Sequence, residues 1–249
     1  MKSIIIIPAR YGSTRFLGKP LALLKGEPVI VHVVRAALQA KSADAVCVAT
    51  DDQRIAETVS SNFANDVVNV VMTGECRTGT DRLAQAVQSL NFDLQNLVVV
   101  NVQGDEPFIN SHHIESLIDV MQSDESLQMA TLATPLPQHL TSDPNVVKVV
   151  CAQNGNALYF SRLPIPFARD GETVTRLRHL GVYAYRADWL LQMANLPSTP
   201  LEETEKLEQL RALENGVAIR VVTVENVIDI AIDTPEDLQR AEEYLAGKL

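Results

Sequence analysis

The chain has 249 residues, of which 46% are hydrophobic, and it carries a formal net charge of -10. That balance suits a sizeable folded core and argues against a nucleic-acid or anionic-membrane partner, because phosphate-rich surfaces attract net basic faces. No apolar run approaches the roughly 18 residues of a membrane span, and Cys47, Cys76 and Cys151 are too few and too scattered for a disulfide framework or a zinc site. They read as thiols of a reducing cytoplasm.

The first run, IIIIPA (4–9), reads as a strand rather than a secretory segment, because Pro8 cuts it short and no small-residue cleavage site follows. A loop with Arg10, Arg15 and Lys19 comes next, flanked by Lys2 and Lys25, and no acidic residue precedes Glu27. PVIVHVVRAALQA (28–40) has apolar residues at helical spacing. DAVCVATDD (44–52), VVNVVMT (67–73) and LVVVNVQGDEP (97–107) are strands, each followed by a helical pattern. Continuous Val and Ile runs are what a parallel strand buried on both faces requires. Their alternation with helices predicts a Rossmann-like, doubly wound α/β unit with a mostly parallel sheet.

Beyond residue 128 the texture changes. MATLATP, VVKVVCA, NALYFSR, LGVYAYR and AIRVVTVE are short strands without regular helices between them, so they read as antiparallel additions to the same sheet or as a smaller antiparallel lobe. One helix is expected near 200–216, ending at Gly216, a good residue just past a helix end. The last helix starts at DTPED (233–237), with Thr234 as N-cap and Pro235 at its first position.

The opening loop is the first candidate site. It lies at the carboxyl end of a strand, where open α/β sheets bind ligands. Gly12 and Gly18 permit tight turns, and three cations offer charge-assisted donors to phosphate oxygens. The spacing matches neither GxxxxGK[ST] nor GxGxxG. The second candidate is Asp105 in NVQGDEP, at the end of a buried strand, where a carboxylate can hold a divalent ion against a nucleotide phosphate. By itself Asp233 reads as an ordinary helix-start residue, and Asp51 and Asp52 as a surface turn and N-cap. No Ser-His-Asp or Cys-His pattern supports covalent catalysis, and the adjacent His112-His113 pair reads as a helix start.

The arrangement IPARYGSTRF-GKPL, followed in order by VATDD, TGTDR, NVQGDEP, VKVV, ALYFSR, RHLGVYAYR, EKLEQLR and IDTPEDL, resembles the CMP-sugar synthetases. It is most similar to the 3-deoxy-manno-octulosonate (Kdo) cytidylyltransferases, and the similarity covers nearly the whole chain. It implies a GT-A-like nucleotidyltransferase domain over 1–249, with a nucleotide-binding half (1–130), a sugar-binding and dimerisation lobe (131–225), and a C-terminal metal motif and helix (226–249). It implies Mg²⁺ on Asp105 and Asp233, catalytic roles for Arg15, Lys19 and Asp105, and nucleotide contacts by Ala9, Arg10, Gly12, Arg15, Lys19, Arg77, Thr78, Gln103 and Asp105. Arg162, His179, Tyr183, Glu208 and Gln209 match the sugar contacts, Arg162 as partner of the sugar's carboxylate. The expected partners are CTP and a 3-deoxy sugar acid, in a cytoplasmic homodimer feeding lipopolysaccharide synthesis.

The chain departs from the family pattern in three places near these motifs: Leu17 replaces the proline before Gly18, Cys76 stands where relatives commonly carry histidine, and Ala231 where they usually carry glycine. Those changes leave open a variant such as 8-amino-Kdo, whose ammonium would call for a carboxylate among Glu202, Glu203 and Glu205. A sialate-type synthetase or a GT-A glycosyltransferase would share the fold, but Lys19-Pro20 and YFSR argue against the former. A non-catalytic nucleotide-binding regulator would have lost the metal carboxylates, and both Asp105 and Asp233 are present.

Overall fold

The computed structural model describes residues 1–170 and 174–248. Its strands are β1 (Lys2–Ala9), β2 (Leu23–Leu24), β3 (Glu27–Pro28), β4 (Ala45–Thr50), β5 (Val68–Met72), β6 (Leu97–Asn101), β7 (Met129–Pro135), β8 (Lys148–Cys151), β9 (Ala157–Ser161), β10 (Leu177–Arg186) and β11 (Ile219–Thr223). Its helices are α1 (Val29–Ala37), α2 (Gln53–Asn62), α3 (Gly79–Ser89), α4 (Ser111–Ser123), α5 (Ala187–Asn195), α6 (Pro200–Glu205), α7 (Gln209–Glu214) and α8 (Pro235–Leu245).

Nine strands form one mixed sheet, with main order β11-β7-β10-β6-β1-β4-β5 and β8 and β9 attached beside β10; β2 and β3 make a separate small hairpin. The pairs β1-β4, β1-β6 and β4-β5 are parallel. Alternate residues of β1 enter opposite cores: Ile5 and Ile7 pack with α1 and α4, Ile4 and Ile6 with α3 and α5. All four isoleucines are fully buried, which is why this strand reads as an unbroken apolar run.

The later strands are additions to the same sheet. β10 runs antiparallel to both β6 and β7, and the hairpin β8-β9 joins its start. β11 differs from expectation in being parallel to β7. The reversed β10 matters for the site, because it sets Tyr183 beside Asn101 at the carboxyl end of β6. The buried Arg186 closes the other end of β10 by donating to the carbonyls of Met121, Asp124 and Leu127.

The helix expected over 200–216 is two helices. Lys206 takes a left-handed conformation (φ 54°) and breaks it between α6 and α7, while Gly216, also left-handed (φ 76°), ends α7 as expected. The break turns Glu208 and Gln209 inward at the start of α7 instead of leaving them on the face of a continuous helix. Thr234 caps α8 as expected: its hydroxyl accepts from the Asp237 N–H and the Asp237 carboxylate accepts from the Thr234 N–H. Asp52 likewise caps α2, and the His112-His113 pair lies in the first turn of α4.

Gly104 is the tightest point of the turn after β6. A Cβ there would lie 2.8 Å from the Pro8 carbonyl oxygen, so the end of β1 and the turn carrying Asp105 touch through backbone alone. Gly104→Ala is expected to cost about 1–3 kcal/mol of stability, as overpacking does, read from urea midpoints. An unchanged midpoint would show that the turn gives way freely.

Candidate active site

The carboxyl ends of β1, β4, β5 and β6 lie along one edge of the sheet, and a cavity of about 370 Å³ opens there. The loop after β1 forms one wall. Gly18 is left-handed (φ 70°), and a Cβ on it would lie 2.7 Å from the Tyr11 ring, so this is the glycine the loop requires. Gly12 is exposed and does not line the cavity. Arg54 stacks on the Tyr11 ring, 3.5 Å from its centre, and pins the loop to α2.

Of the residues expected at the nucleotide, Ala9, Arg10, Arg15, Lys19, Arg77, Thr78, Gln103 and Asp105 all line this cavity. Thr78 caps α3 in a reciprocal box with Asp81, so the positive end of that helix dipole also meets it. Cys76 lies in the lining as well, its thiol donating to the Gly74 carbonyl. From the sequence alone Arg82 reads equally as a solvated helix residue or a ligand contact. It is 3% exposed and paired with Asp51 at 2.6 Å and with the Thr73 hydroxyl, and it lines the cavity floor.

At the centre is an ion cluster. The Lys19 ammonium bonds the Asp105 carboxylate and the Asp233 carboxylate, the latter at 2.8 Å, and Arg15 pairs with Asp233 at 3.0 Å. Burial alone would lower the Lys19 pKa, but the two carboxylates outweigh it and the net shift is upward, so the ammonium stays charged. Asp233 is therefore not a helix cap: Thr234 does the capping, and the Asp233 carboxylate faces the cavity. The Ile232 N–H donates to the Asp105 carbonyl at 2.8 Å and holds the two acidic segments together. Farther back, Asp229 pairs with Arg178, and His113 Nε2 meets the Glu225 carbonyl at 2.9 Å.

A cation already bridges Asp105 and Asp233, so the pair has the charge and spacing to hold one. No set of three or more His, Cys, Asp or Glu side chains gathers for a metal among the described residues. Two carboxylates alone suit Mg²⁺, which takes one or two protein carboxylates and completes its shell with substrate oxygens and water.

A second cavity of about 230 Å³ adjoins the first, with Gly79 and Gln103 in both walls. Tyr183, Glu208 and Gln209 line it, as expected of sugar contacts, together with Thr80, Asn101, Tyr185 and Met193. The Thr80 hydroxyl donates to Glu208 at 3.0 Å, and burial raises the Glu208 pKa. Asn101 carries no signal of its own in the sequence, and Thr80 belongs to the Thr-Gly-Thr segment that the family resemblance places near the base and ribose; the structure puts it on the second cavity instead.

Two expected sugar residues are elsewhere. His179 packs behind Tyr183, between that ring and Phe160, with Nε2 2.9 Å from the Thr131 hydroxyl. Burial pulls its pKa down to about 3, so it is neutral. The Arg162 guanidinium donates to the carbonyls of Glu205 (2.6 Å), Pro144 (2.9 Å) and Lys206 (3.3 Å), and lines neither cavity. Glu202, Glu203 and Glu205 are also engaged, with Arg211, with Ser198, and with Ser161 and the Arg162 N–H, respectively.

A mixed, mostly parallel sheet whose strand ends hold a cationic loop, a carboxylate pair and an adjoining polar cavity has the build of a nucleotidyltransferase. The cytidylyltransferase family model matches residues 4–221. Over 99% of its length the chain is 48% identical to the whole of a 3-deoxy-manno-octulosonate cytidylyltransferase from Syntrophotalea carbinolica, and over 98% it is 49% identical to one from Anaeromyxobacter sp., covering 96% of that protein. A solved CMP:2-keto-3-deoxy-manno-octonic acid synthetase complexed with CTP superposes over the full length of both chains with a TM-score of 0.92 at 39% identity. The chain belongs to the 3-deoxy-manno-octulosonate cytidylyltransferase family and is an enzyme of the nucleotidyltransferase type.

Glu106, beside Asp105, supplies a pH test. Burial, then the charges of Asp105 and Asp229, push its pKa up to about 7 against the opposing pull of Arg178. The folded chain therefore holds this proton more tightly than the unfolded chain. Its contribution to stability is complete below about 4.5 and is lost as pH rises through about 7. In metal-free buffer, Glu106→Gln should flatten the fall in urea midpoint between about pH 5 and pH 8. An unchanged pH slope would contradict the shift.

Proposed function

We propose that the chain transfers CMP from CTP to Kdo and releases pyrophosphate. The observation that carries this reading is the pair of joined cavities, one lined by cations and two carboxylates, the other by neutral polar groups and one carboxylate. The two cytidylyltransferases and the CTP-bound synthetase described above support the same two substrates.

The triphosphate docks on Arg10, Arg15, Lys19 and the amino end of α3. The base and ribose lie along Ala9, Arg77, Thr78 and Gln103. Asp105 and Asp233 would hold Mg²⁺, which supplies charge neutralisation at the phosphates when bound. The sugar occupies the second cavity against Tyr183, Glu208 and Gln209. Among the described residues no arginine or lysine lines that cavity, so the sugar's carboxylate points toward the cations of the first. The anomeric hydroxyl then faces the α-phosphorus across Gly79 and Gln103. Its oxygen forms a bond to the α-phosphorus as the bond from that phosphorus to the bridging β-phosphate oxygen breaks; the hydroxyl proton passes to solvent water, and pyrophosphate leaves with the bridging oxygen. The chain's own part is alignment and charge stabilisation, the main protein contributions to phosphoryl-type transfer.

His179 acts from behind, fixing the Tyr183 ring. Arg162 acts on the turn before α7, because its bonds to the Glu205 and Lys206 carbonyls set the start of the helix that presents Glu208 and Gln209. Plain Kdo is favoured over the 8-amino form, since Glu202, Glu203 and Glu205, the carboxylates expected to meet an ammonium, are engaged elsewhere and line neither cavity. The chain would work in the cytoplasm, as a homodimer feeding lipopolysaccharide synthesis. The bare side chains of Leu158, Leu163 and Phe167, 63%, 71% and 84% exposed, support an apolar contact with a second copy. No helix among the described residues is long and apolar enough to cross a membrane.

Pyrophosphate release with CTP and Kdo, 8-amino-Kdo or a sialic acid tests the substrate, with Kdo expected to give the highest kcat/KM. Highest activity with a sialic acid, or none with any of the three, would overturn the reading. Lys19→Ala should lower kcat/KM by about 10²–10³ in a folded protein, and near-native kinetics would remove Lys19 from the chemistry. Asp105→Asn and Asp233→Asn should each shift the Mg²⁺ dependence of turnover to higher concentration. Because Thr234 makes the cap, Asp233→Asn should leave the start of α8 intact and lower the thermal midpoint only through the lost ion pairs with Lys19 and Arg15. Wild-type turnover of the Asn variants at low Mg²⁺ would exclude these two carboxylates as ligands.

A further inference from the structure

Three buried polar atoms around the second cavity have no hydrogen-bond partner: Asn101 Oδ1, Glu208 Oε1 and Gln209 Nε2. Asn101 and Gln209 are each 4% exposed. The nearest candidate for Glu208 Oε1 is Arg211, but its guanidinium is 3.6 Å away and already bonded twice to Glu202, at 2.8 and 2.5 Å. A folded chain seldom leaves a buried polar atom unpaired, because each has lost its water without replacement. Three such atoms, on residues of β6 and the start of α7 that line one cavity, point to a ligand that supplies the missing partners.

The chemistry of that ligand can be read from the atoms. Two are acceptors and one is a donor, and among the described residues no cation lines the cavity. An anionic group would find no positive partner there, and an apolar group would leave all three unpaired. Hydroxyls both donate and accept, so two neighbouring hydroxyls satisfy the set. They do so whichever way the Asn101 and Gln209 amides are turned.

We infer that Asn101 is a specificity-determining residue that reads a hydroxyl of the sugar acid, in concert with Glu208 and Gln209. This rests on the transfer reading above. Asn101 is the rigid member of the set. It ends β6, between Ile6 of β1 and Tyr183 of β10, and so is held from both sides by the sheet. Glu208 is tied by Thr80 to the first turn of α3, whose cap residue Thr78 lines the nucleotide cavity. The hydroxyl reader is thereby kept in register with the nucleotide site. An analogue lacking the hydroxyl would leave a buried amide unpaired in the complex, the situation in which polar sites discriminate most strongly.

The test combines Asn101→Ala and Asn101→Leu with Kdo and a set of analogues, each lacking one hydroxyl other than the anomeric one. Leu keeps much of the volume and removes the polar atoms, so it separates lost packing from lost recognition. Wild-type kcat/KM with Kdo is measured first. Both variants should lose about 10- to 100-fold with Kdo and keep the wild-type KM for CTP. Against one analogue that the wild type rejects, the variants should no longer discriminate. Asn101→Ser, which retains a short hydroxyl, replaces either variant that fails to fold by thermal melt. Folded variants that keep the wild-type preference for Kdo over every analogue would overturn the inference while leaving the transfer reading intact. A wild type inactive with Kdo would overturn both.

Discussion

Two carboxylates and one ammonium hold the catalytic end of this molecule together. Asp105 follows β6, Asp233 precedes α8 and Lys19 closes the loop after β1, so the cluster joins three segments far apart in sequence. Two carboxylates this close repel each other unless a cation stands between them, and in a partly buried setting that repulsion is poorly screened. Lys19 supplies the cation, with Arg15 beside it. Backbone closeness makes the arrangement possible: Gly104 lets the turn after β6 lie against Pro8, and the Ile232 N–H fastens the C-terminal segment to the Asp105 carbonyl. The rest of the strap leading to Asp233 is anchored by Arg178 and His113.

An acidic chain thus concentrates positive charge in one place for a reason internal to the fold as well as for a ligand. The cations of the first loop neutralise the carboxylates of two other loops, and the same groups are positioned to meet a triphosphate. The neighbouring cavity has the opposite character. It contains no basic side chain and keeps unpaired hydrogen-bonding atoms, which suits a neutral, hydroxyl-bearing body whose charged end lies toward the first cavity. The division of charge between the cavities is the basis on which the proposed transfer orients its sugar acid.

Much of this was legible in the sequence, for physical reasons that differ from element to element. The strands β1, β4 and β6 announce themselves because burial on both faces forbids polar residues. The cationic loop was legible because its charges contradict the rest of the chain, and α8 because Thr234, Pro235 and Asp237 form a complete start signal. What stayed hidden depends on partners distant in sequence. Arg82 reads equally as a solvated helix residue or a ligand contact until the pairing of β4 with β5 sets Asp51 and Thr73 together against it. Arg162 reads as a carboxylate ligand, yet the approach of α6 spends its guanidinium on backbone carbonyls. The break between α6 and α7 falls on a lysine in a left-handed conformation, where no glycine or proline gives warning. Asn101 looks like the polar end of an apolar strand, and only the reversed strand β10 and the start of α7 turn its surroundings into a cavity.

The central claim is that an oxygen of the sugar acid, brought from one cavity to the other, displaces pyrophosphate from the α-phosphorus. It is tested most directly by phosphorus NMR of the reaction with CTP, Mg²⁺ and Kdo carrying ¹⁸O in its anomeric hydroxyl. The expected spectrum shows a sugar–CMP phosphodiester whose resonance is shifted by the bridging ¹⁸O, formed in equal amount with unlabelled pyrophosphate. A phosphodiester without the isotope shift, or CTP broken down with no phosphodiester formed, would contradict the claim.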